Sequence, residues 1–308
     1  MPVDNPQPRN TLYFILSVGL ALGVIAAASY YGRELIAALR TVDRFWLIAG
    51  LVSYALNYMF RAVRLFLMSK KQIRVWPEGL HAACLHGFAT YMMPFRSGEL
   101  TLPLTLQATT HLTLAESSRL LIRARFLDLH VLGLLTIFAA LTADVDLTRG
   151  MRMLWFGMGG LLTFAPHLLR IAAKVGNESP FGWLRGMSRF AIMDTFNPGE
   201  FVTSLAIWTT IACCFFFAAR AIGLPLSPTQ VWLLVTLQLP LQIIPIQGFA
   251  NAGNHEGGWV AGLVLLGVPA STAFEIALTT HAILLTYVLV LGPTALLTGR
   301  FVSETPVK

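Results

Sequence analysis

The chain is poor in charged residues, since Asp, Glu, Lys and Arg make up only 12% of its 308 residues. Soluble domains carry about a quarter charged residues, so this chain lacks the side chains that would cover it with a hydrated surface. Hydrophobic residues make up 56% and occur in long runs. Runs of roughly 18 or more apolar residues indicate membrane spans. The composition therefore excludes an ordinary soluble domain and predicts a polytopic, all-α membrane protein.

Cysteine is scarce as well, and Cys84, Cys213 and Cys214 all lie in apolar segments with no disulfide or metal-ligand spacing. Residues 254–256 (Asn-His-Glu) lack the second histidine of a zinc protease motif, and residues 248–253 lack the lysine–serine end of a nucleotide loop. The net charge of +7 comes from short loops, which favours contact with anionic lipid over nucleic acid. We therefore expect no metal, no cofactor and no nucleic-acid partner.

Six segments have the length of complete spans, near the ~20 residues that a bilayer requires. They are residues 11–31, 45–68, 126–143, 153–173, 200–220 and 274–298. Two further regions, 79–112 and 228–268, are mostly apolar but contain polar breaks rich in glycine and proline. Broken backbone at membrane depth is tolerated only where protein or a water-filled cavity satisfies its polar groups. We therefore interpret each region as a broken, re-entrant helical hairpin.

The same order of segments occurs twice, in residues 1–150 and in residues 151–308. Each half has a span, an amphipathic linker, a span, a broken hairpin and a span. Because three complete spans is an odd number, the halves are expected to insert with opposite orientations. Inverted repeats with broken helices near the midplane are typical of secondary transporters, whose site lies at the repeat interface. Basic loop residues favour cytoplasmic N- and C-termini in a bacterial inner membrane, with the first span retained.

Ionisable residues within the predicted hairpins are the strongest candidates for a substrate site. Arg96 and Glu99 lie in the first break, and Asn254, His255 and Glu256 in the second. A charged residue inside a bilayer costs about 2.5–3.5 kcal/mol, so each one requires a reason. Guanidinium groups match phosphate geometry, and the carboxylates would serve as counter-charges and gates or would bind a proton. Alternatively, Arg96 and Glu99 form a local i,i+3 pair.

A second set of charges lies near the predicted cytoplasmic ends of two spans. Arg125 and Asp128 form another i,i+3 combination, either a structural pair or part of the site. Arg61 and Arg64 are expected to snorkel to the interface, with attraction of anionic lipid as a second role. The histidines at 81, 86, 130 and 281 are interpreted mainly as hydrogen-bonded core residues, with His86 the best candidate for contact with substrate.

Several of these segments together resemble a known family. They are residues 91–100 (Tyr-Met-Met-Pro-Phe-Arg-Ser-Gly-Glu-Leu), 125–129 (Arg-Phe-Leu-Asp-Leu), 245–248 (Pro-Ile-Gln-Gly), Gly253, Glu256 and 266–268 (Leu-Gly-Val). Their order and spacing resemble the transmembrane region of lysylphosphatidylglycerol synthase, over nearly the whole chain. The resemblance implies a stand-alone flippase or scramblase-like protein of the bacterial plasma membrane, without the synthase domain.

The leading hypothesis is therefore a lipid transporter that moves a phospholipid or a polyprenyl-phosphate glycolipid between leaflets. Arg96 would bind the phosphate, with Glu99 and Glu256 as counter-charges. Three alternatives stay open: an ion-coupled transporter of small solutes, an intramembrane enzyme, and a non-transporting accessory subunit of a lipid-modifying enzyme. The enzyme hypothesis is disfavoured because the sequence shows neither a nucleophile arrangement nor a metal cluster.

Overall fold

A computed structural model describes residues 32–142, 148–177, 197–238 and 247–303, together with Leu22, Ile25 and Ser29. Regular structure in these residues is helical. The helices are α1 (Gly32–Arg40), α2 (Arg44–Met68), α3 (Leu80–Met92), α4 (Thr101–Thr109), α5 (Leu114–Thr142), α6 (Arg149–Asn177), α7 (Pro198–Ala221), α8 (Pro228–Leu237), α9 (Asn254–Leu265), α10 (Ala270–Leu291) and α11 (Thr294–Ser303). The predicted all-α class is confirmed for this part of the chain.

Four described segments are long and apolar enough to cross a membrane: α2, α5, α7 and residues 270–302, which comprise α10 and α11. Their outer faces are apolar too. On α2, Phe45, Ile48 and Val52 follow one another at helical spacing and are each more than half exposed. Such a face is unfavourable in water and favourable against lipid chains. The predicted spans 45–68 and 200–220 coincide with α2 and α7 to within two residues at each end.

Two predicted spans fall in longer helical segments. The span placed at 126–143 overlaps α5, which begins at Leu114 because Thr113 and Glu116 cap that helix reciprocally. The span placed at 274–298 lies within the apolar segment 270–302, in which α10 ends at Leu291 and α11 follows after Gly292 and Pro293.

Other predictions on the number of spans are not settled by these helices. Residues 153–173 lie within α6, which does not belong to the four apolar segments. The first predicted span and the second linker lie outside the described residues. The count of six spans therefore stays a prediction.

Both predicted breaks contain irregular turns in the described residues. The first comprises residues 94–100 between α3 and α4, where Pro94 cannot continue the helical hydrogen bonding. The second includes the 3₁₀ turn Phe249–Asn251 ahead of α9, and its earlier part, residues 239–246, lies outside the described residues. Among the described helices, a long and a short helix precede each break and a short and a long helix follow it, in α2–α5 and in α7–α10.

The chain divides into two compact units, each built from discontinuous segments. Unit 1 comprises residues 1–54, 84–101 and 212–293, and unit 2 comprises residues 55–83, 102–211 and 294–308. The core of unit 1 includes the fully buried Trp259, Leu263, Ile283 and Tyr287. The proposed halves, 1–150 and 151–308, concern repeat symmetry rather than compactness and stay a prediction.

In unit 2, a core cluster joins α2, α4 and α5 through buried side chains such as Leu65, Leu106 and Leu120. Helices α5 and α6 also approach closely there. A Cβ built on Gly133 of α5 would lie 2.4 Å from the backbone nitrogen of Thr163 on α6. The close packing of α5 against α6 in unit 2 therefore requires glycine at position 133.

Candidate functional site: two helix breaks and a buried charge network

The two helix breaks contact each other within unit 1. The backbone N–H of Phe95 in the first break donates to the carbonyl of Gln247 at the second, at 3.0 Å. The buried Gln247 side chain returns the contact, because its Nε2 donates to the carbonyl of Thr90 at 2.8 Å and lies 3.3 and 3.4 Å from those of Tyr91 and Met93. These carbonyls belong to the last turn of α3, which has no further helical donors beyond Met93. One glutamine thus satisfies backbone groups that the broken helix leaves open.

Each break contains two consecutive residues with left-handed backbone that are not glycine. Phe95 and Arg96 have φ of 56° and 57°, and Ala250 and Asn251 have φ of 53° and 64°. Each such residue costs about 1–3 kcal/mol and persists only where its surroundings impose the conformation. Close packing at Gly98 helps to impose the left-handed conformation in the first break. A Cβ on Gly98 would lie within 2.4 Å of backbone atoms of Ala89 and Thr90. Strained backbone of this kind concentrates at functional sites.

A histidine and a carboxylate face each other beside the first break. Nε2 of the buried His86 lies 3.7 Å from Oε2 of Glu99, and its Nδ1 lies 3.4 and 3.5 Å from the hydroxyls of Thr90 and Thr101. Arg96 lies on the same turn and is partly buried. The first break therefore combines one cation, one carboxylate and one titratable imidazole, which suits it to bind a polar headgroup.

A second histidine–carboxylate pair lies at the other break. Glu256, 3% exposed, bonds to Nδ1 of His281 on α10 through Oε1 and accepts the N–H of Gly253 through Oε2 at 2.8 Å. Nε2 of His281 lies 2.7 Å from the carbonyl of Ala250, one of the left-handed residues. His281 thus ties α10 to the break at two points.

The remaining predicted residues of the second break are buried on α9. His255, 1% exposed, bonds through Nε2 to the hydroxyl of Thr280 at 3.0 Å, and its ring lies 4.9 Å from that of His281. Asn254 is also buried, at the first position of the helix. Residues 254–256 therefore begin a helix directly at the break, and their role in a substrate site stays a prediction.

Unit 2 contains a separate buried charge network centred on Asp128. Its Oδ1 accepts from Nη1 of Arg64 and from the indole N–H of Trp208 at 3.2 Å, and its Oδ2 accepts from Arg125 at 3.2 Å. Arg64 also donates to Ser204 at 3.0 Å. Charges removed from water persist when they are paired and hydrogen-bonded, as they are here.

The expected snorkelling of Arg64 is wrong, because its side chain is 6% exposed and holds Asp128 rather than reaching an interface. Arg61, one turn earlier on α2, donates through Nε to Asn57 at 2.8 Å. Asn57 in turn donates to the carbonyl of Ile207 and the hydroxyl of Thr210 on α7. Arg64 therefore connects α2 to α5 and α7, whereas Arg61 bonds within α2 to the asparagine that contacts α7. The expected i,i+3 contact of Arg125 and Asp128 is confirmed at 3.2 Å.

Unit 2 contains a further buried ion pair that the sequence did not predict. Arg123 on α5 binds Glu200 in the first turn of α7 with two parallel bonds, Nε to Oε2 and Nη2 to Oε1, both at 3.0 Å. Glu200 is 3% exposed. Its position after Pro198 and Gly199 at a helix start is a local signal, since a carboxylate is favourable there. Its partner lies 77 residues away, and no local pattern identifies it.

The two breaks can bind polar groups electrostatically. They offer carboxylate–imidazole pairs, a cation and partly buried turns of backbone. In the described part of the chain, His, Cys, Asp and Glu side chains form no group of three that could hold a metal ion.

Comparison with known proteins agrees with the motifs that the breaks contain. A family model described as the lysylphosphatidylglycerol synthase TM region matches residues 14–292. No curated protein and no solved structure gives a significant match. The resemblance seen in the sequence is thereby confirmed, and the several apolar helices fit a multi-pass membrane protein. Because the match extends over most of the chain, the protein belongs to the family of the lysylphosphatidylglycerol synthase transmembrane region.

Proposed function

We propose that this protein moves a phospholipid or a polyprenyl-phosphate glycolipid between the leaflets of the bacterial inner membrane. The observation that supports it most is the contact of the two helix breaks, in which the N–H of Phe95 donates to the carbonyl of Gln247 and the Gln247 side chain donates to the carbonyl of Thr90. Irregular backbone within a membrane domain is favourable only where it lines a polar site. The family's association with lipid flippase-like function supports a lipid as the substrate.

The proposal gives the two breaks corresponding roles. Each has a pair of left-handed residues and a histidine–glutamate contact, His86 with Glu99 and His281 with Glu256. This correspondence, and the repeated order of helices, support an inverted repeat with the headgroup site at its breaks. Three spans per half would then place both termini in the cytoplasm, in agreement with the basic loops.

The two breaks, residues 94–100 and 247–256, contain one lysine or arginine between them, and it is Arg96. We assign it the phosphate of the headgroup, because a planar guanidinium can bind two phosphate oxygens at once. Glu99, three residues on, is the counter-charge when the site is empty. The apolar outer faces of the helices leave the acyl chains in the bilayer while the headgroup crosses. Transport rather than a chemical reaction is the proposed activity.

The test is a panel of fluorescent lipids in liposomes that contain the purified protein. An impermeant quencher bleaches the outer leaflet at once, and inner-leaflet label is lost only as lipid crosses. The proposal expects faster loss for lipids with a phosphate-bearing headgroup, and at least a tenfold slower rate for Arg96→Ala. Arg152→Ala, which removes a partly buried arginine at the start of α6, serves as the matched control and should retain the wild-type rate.

Circular dichroism and size-exclusion profiles should show that each variant is folded. Equal rates for wild type and Arg96→Ala would remove the assigned role of Arg96. No acceleration with any lipid, in folded protein, would contradict the proposal and favour transport of a small solute or an accessory role with a lipid-modifying enzyme.

A further inference from the structure

The Glu256–His281 pair holds a proton whose position the surrounding hydrogen bonds determine. A carbonyl oxygen only accepts, so Nε2 of His281, at 2.7 Å from the carbonyl of Ala250, must carry a hydrogen. The bond between Nδ1 of His281 and Oε1 of Glu256 then needs one more proton between those two atoms. That proton belongs to an imidazolium facing a carboxylate, or to a carboxylic acid facing a neutral imidazole.

The same geometry leaves room for only this one proton. A second would occupy Oε2 of Glu256, which already accepts the N–H of Gly253 at 2.8 Å. Removal of the first leaves the imidazole with one hydrogen for two acceptors, Glu256 and Ala250, and leaves a net negative charge on two side chains that are each less than 10% exposed. Such a buried charge without a compensating proton is strongly unfavourable, so one of the two contacts of His281 must open when the proton leaves.

Opening of either contact would act directly on the second helix break. His281 bonds both to Glu256 at the start of α9 and to Ala250, whose backbone is left-handed with φ of 53°. The strained turn is therefore fastened to α10 through one protonated imidazole–carboxylate bond. Loss of the proton removes one of the two bonds that His281 makes, to Glu256 or to Ala250, and frees the break to change conformation.

Neighbouring groups support a single mobile proton. His255 donates from Nε2 to Thr280, because the Thr280 hydroxyl already donates to a backbone carbonyl. Its neutral ring lies 4.9 Å from that of His281. Tyr91 on α3 lies edge-on, 6.1 Å from His281, and its buried hydroxyl has no hydrogen-bond partner among the described residues. That hydroxyl can bond to the imidazole or the carboxylate once the two separate.

Charged and titratable groups lie on every element packed near the pair. They include Glu275 and Tyr287 on α10 itself, His255 on α9, His86 and Tyr91 on α3, Tyr54 on α2, and the exposed Arg33 and Arg40 on α1. Glu256 makes its hydrogen bonds with His281 and Gly253, so the proton balance of the pair rests on His281.

We infer that Glu256 and His281 form the binding site of a coupling proton, and that lipid movement by this protein is driven by a proton gradient. The inference rests on the proposed transport function and adds its energy source. Proton binding closes both bonds of His281, and proton release opens one of them at the break that faces the headgroup site. One proton per cycle is the stoichiometry that the hydrogen bonds allow.

The experiment uses proteoliposomes with a pH gradient, and with the membrane potential held at zero by potassium and valinomycin. Wild type should drive fluorescent lipid towards one leaflet, up to about a tenfold ratio per pH unit for one proton per lipid. A protonophore should abolish that asymmetry, and reversing the gradient should reverse it. A lipid imbalance should in turn move protons, which a pH dye trapped in the vesicles reports.

Glu256→Gln is the informative variant, because its amide can donate to Nδ1 of His281 and its oxygen can accept from Gly253. It mimics the protonated pair, so whatever lipid movement this variant retains should show no response to the gradient. Glu275→Gln makes the same charge change on α10, about 1.7 helical turns before His281, and should respond to the pH gradient as wild type does. A Glu256→Gln variant that still accumulates lipid in one leaflet in response to the pH gradient would overturn the assignment.

A second measurement keeps the two proposals distinguishable. Infrared difference spectra over a pH titration should show a carboxyl or imidazole band that disappears in Glu256→Gln and persists in Glu275→Gln. Wild type that moves lipid equally with and without a gradient, and moves no protons, would contradict the coupling while leaving lipid transport intact. Wild type that moves no lipid but shows the titrating band would contradict the proposed function and retain the proton site.

Discussion

Replacing Arg64 and Asp128 together should destabilise the protein by less than the sum of the two single replacements. The two side chains form a buried ion pair that is 6% and 8% exposed. Asp128 also accepts from Trp208 and Arg125, and Arg64 also donates to Ser204. Arg64→Leu therefore leaves a buried carboxylate with one cation fewer, and Asp128→Asn leaves two arginines facing a neutral amide.

The expected magnitude follows from the burial of the pair. Removing one partner of a buried ion pair costs about 3–5 kcal/mol, because the other charge stays in the interior without compensation. The lower end applies here, since Arg125 is 34% exposed and can partly replace the charge of Arg64. In the double variant Arg64→Leu with Asp128→Asn, that uncompensated charge is gone. Its cost should fall below the sum of the single costs by about 0.5–3 kcal/mol.

Equilibrium unfolding in mixed micelles with increasing dodecyl sulfate, followed by far-UV circular dichroism, gives the free energies. Arg119→Leu is the matched control. Arg119 on α5 is exposed, and so is Glu116, the carboxylate three residues before it. Exposed charges contribute little, so this variant should unfold close to wild type. Strictly additive costs at Arg64 and Asp128, or single costs no larger than that of Arg119→Leu, would refute the reasoning.

Three further predictions concern the breaks and the second ion pair. Gly98→Ala should lower the free energy of unfolding by about 1–3 kcal/mol, because the added Cβ would lie within 2.4 Å of backbone atoms. Gly157→Ala is the control and should have no such effect, because the space within 4 Å of its Cβ position is open. Equal effects in thermal melts would contradict the close backbone packing at Gly98. Gln247→Glu replaces a donor with an acceptor that faces carbonyls 2.8–3.4 Å away, and it should lower the free energy of unfolding by about 1–3 kcal/mol. Gln247→Met, which removes the donor without adding an acceptor, should cost less. An unchanged free energy for Gln247→Glu would exclude the bridging role of this side chain. Glu200→Gln should destabilise more than Arg123→Lys, which keeps the charge but loses the parallel geometry; the reverse order in the same unfolding assay would contradict the paired bonds.

The parts of the fold that sequence predicts well are those governed by local composition. Helices α2 and α7 are continuous apolar runs, so hydropathy places both ends. The breaks are equally local, because proline and glycine interrupt helical hydrogen bonding wherever they occur. Helix α5 shows that a predicted span and a helix can differ in length. Residues 114–125 contain several charges and fall outside the span predicted at 126–143, although the Thr113–Glu116 capping box signals a helix start before them.

The candidate site divides in the same way. Glu99, His255 and Glu256 are recognisable because ionisable residues beside a helix break are rare in apolar segments. Their partners are not, since His281 lies 25 residues from Glu256 and looks like an ordinary histidine in an apolar helix. Arg64 shows the same limit. A cation four residues from the end of a helix suggests snorkelling, and only the tertiary packing that brings Asp128 against it reverses that conclusion.

The central claim is tested most directly by the crossing rate of a single lipid in vesicles that contain on average one protein each. Inner-leaflet fluorescent phospholipid is followed after addition of the impermeant quencher, beside protein-free vesicles of the same composition. The account predicts that a fraction of vesicles equal to the fraction that contain protein loses its protected label within minutes, while protein-free vesicles keep theirs. Label that stays protected in both populations, for every phosphate-bearing lipid and with or without a pH gradient, would contradict it.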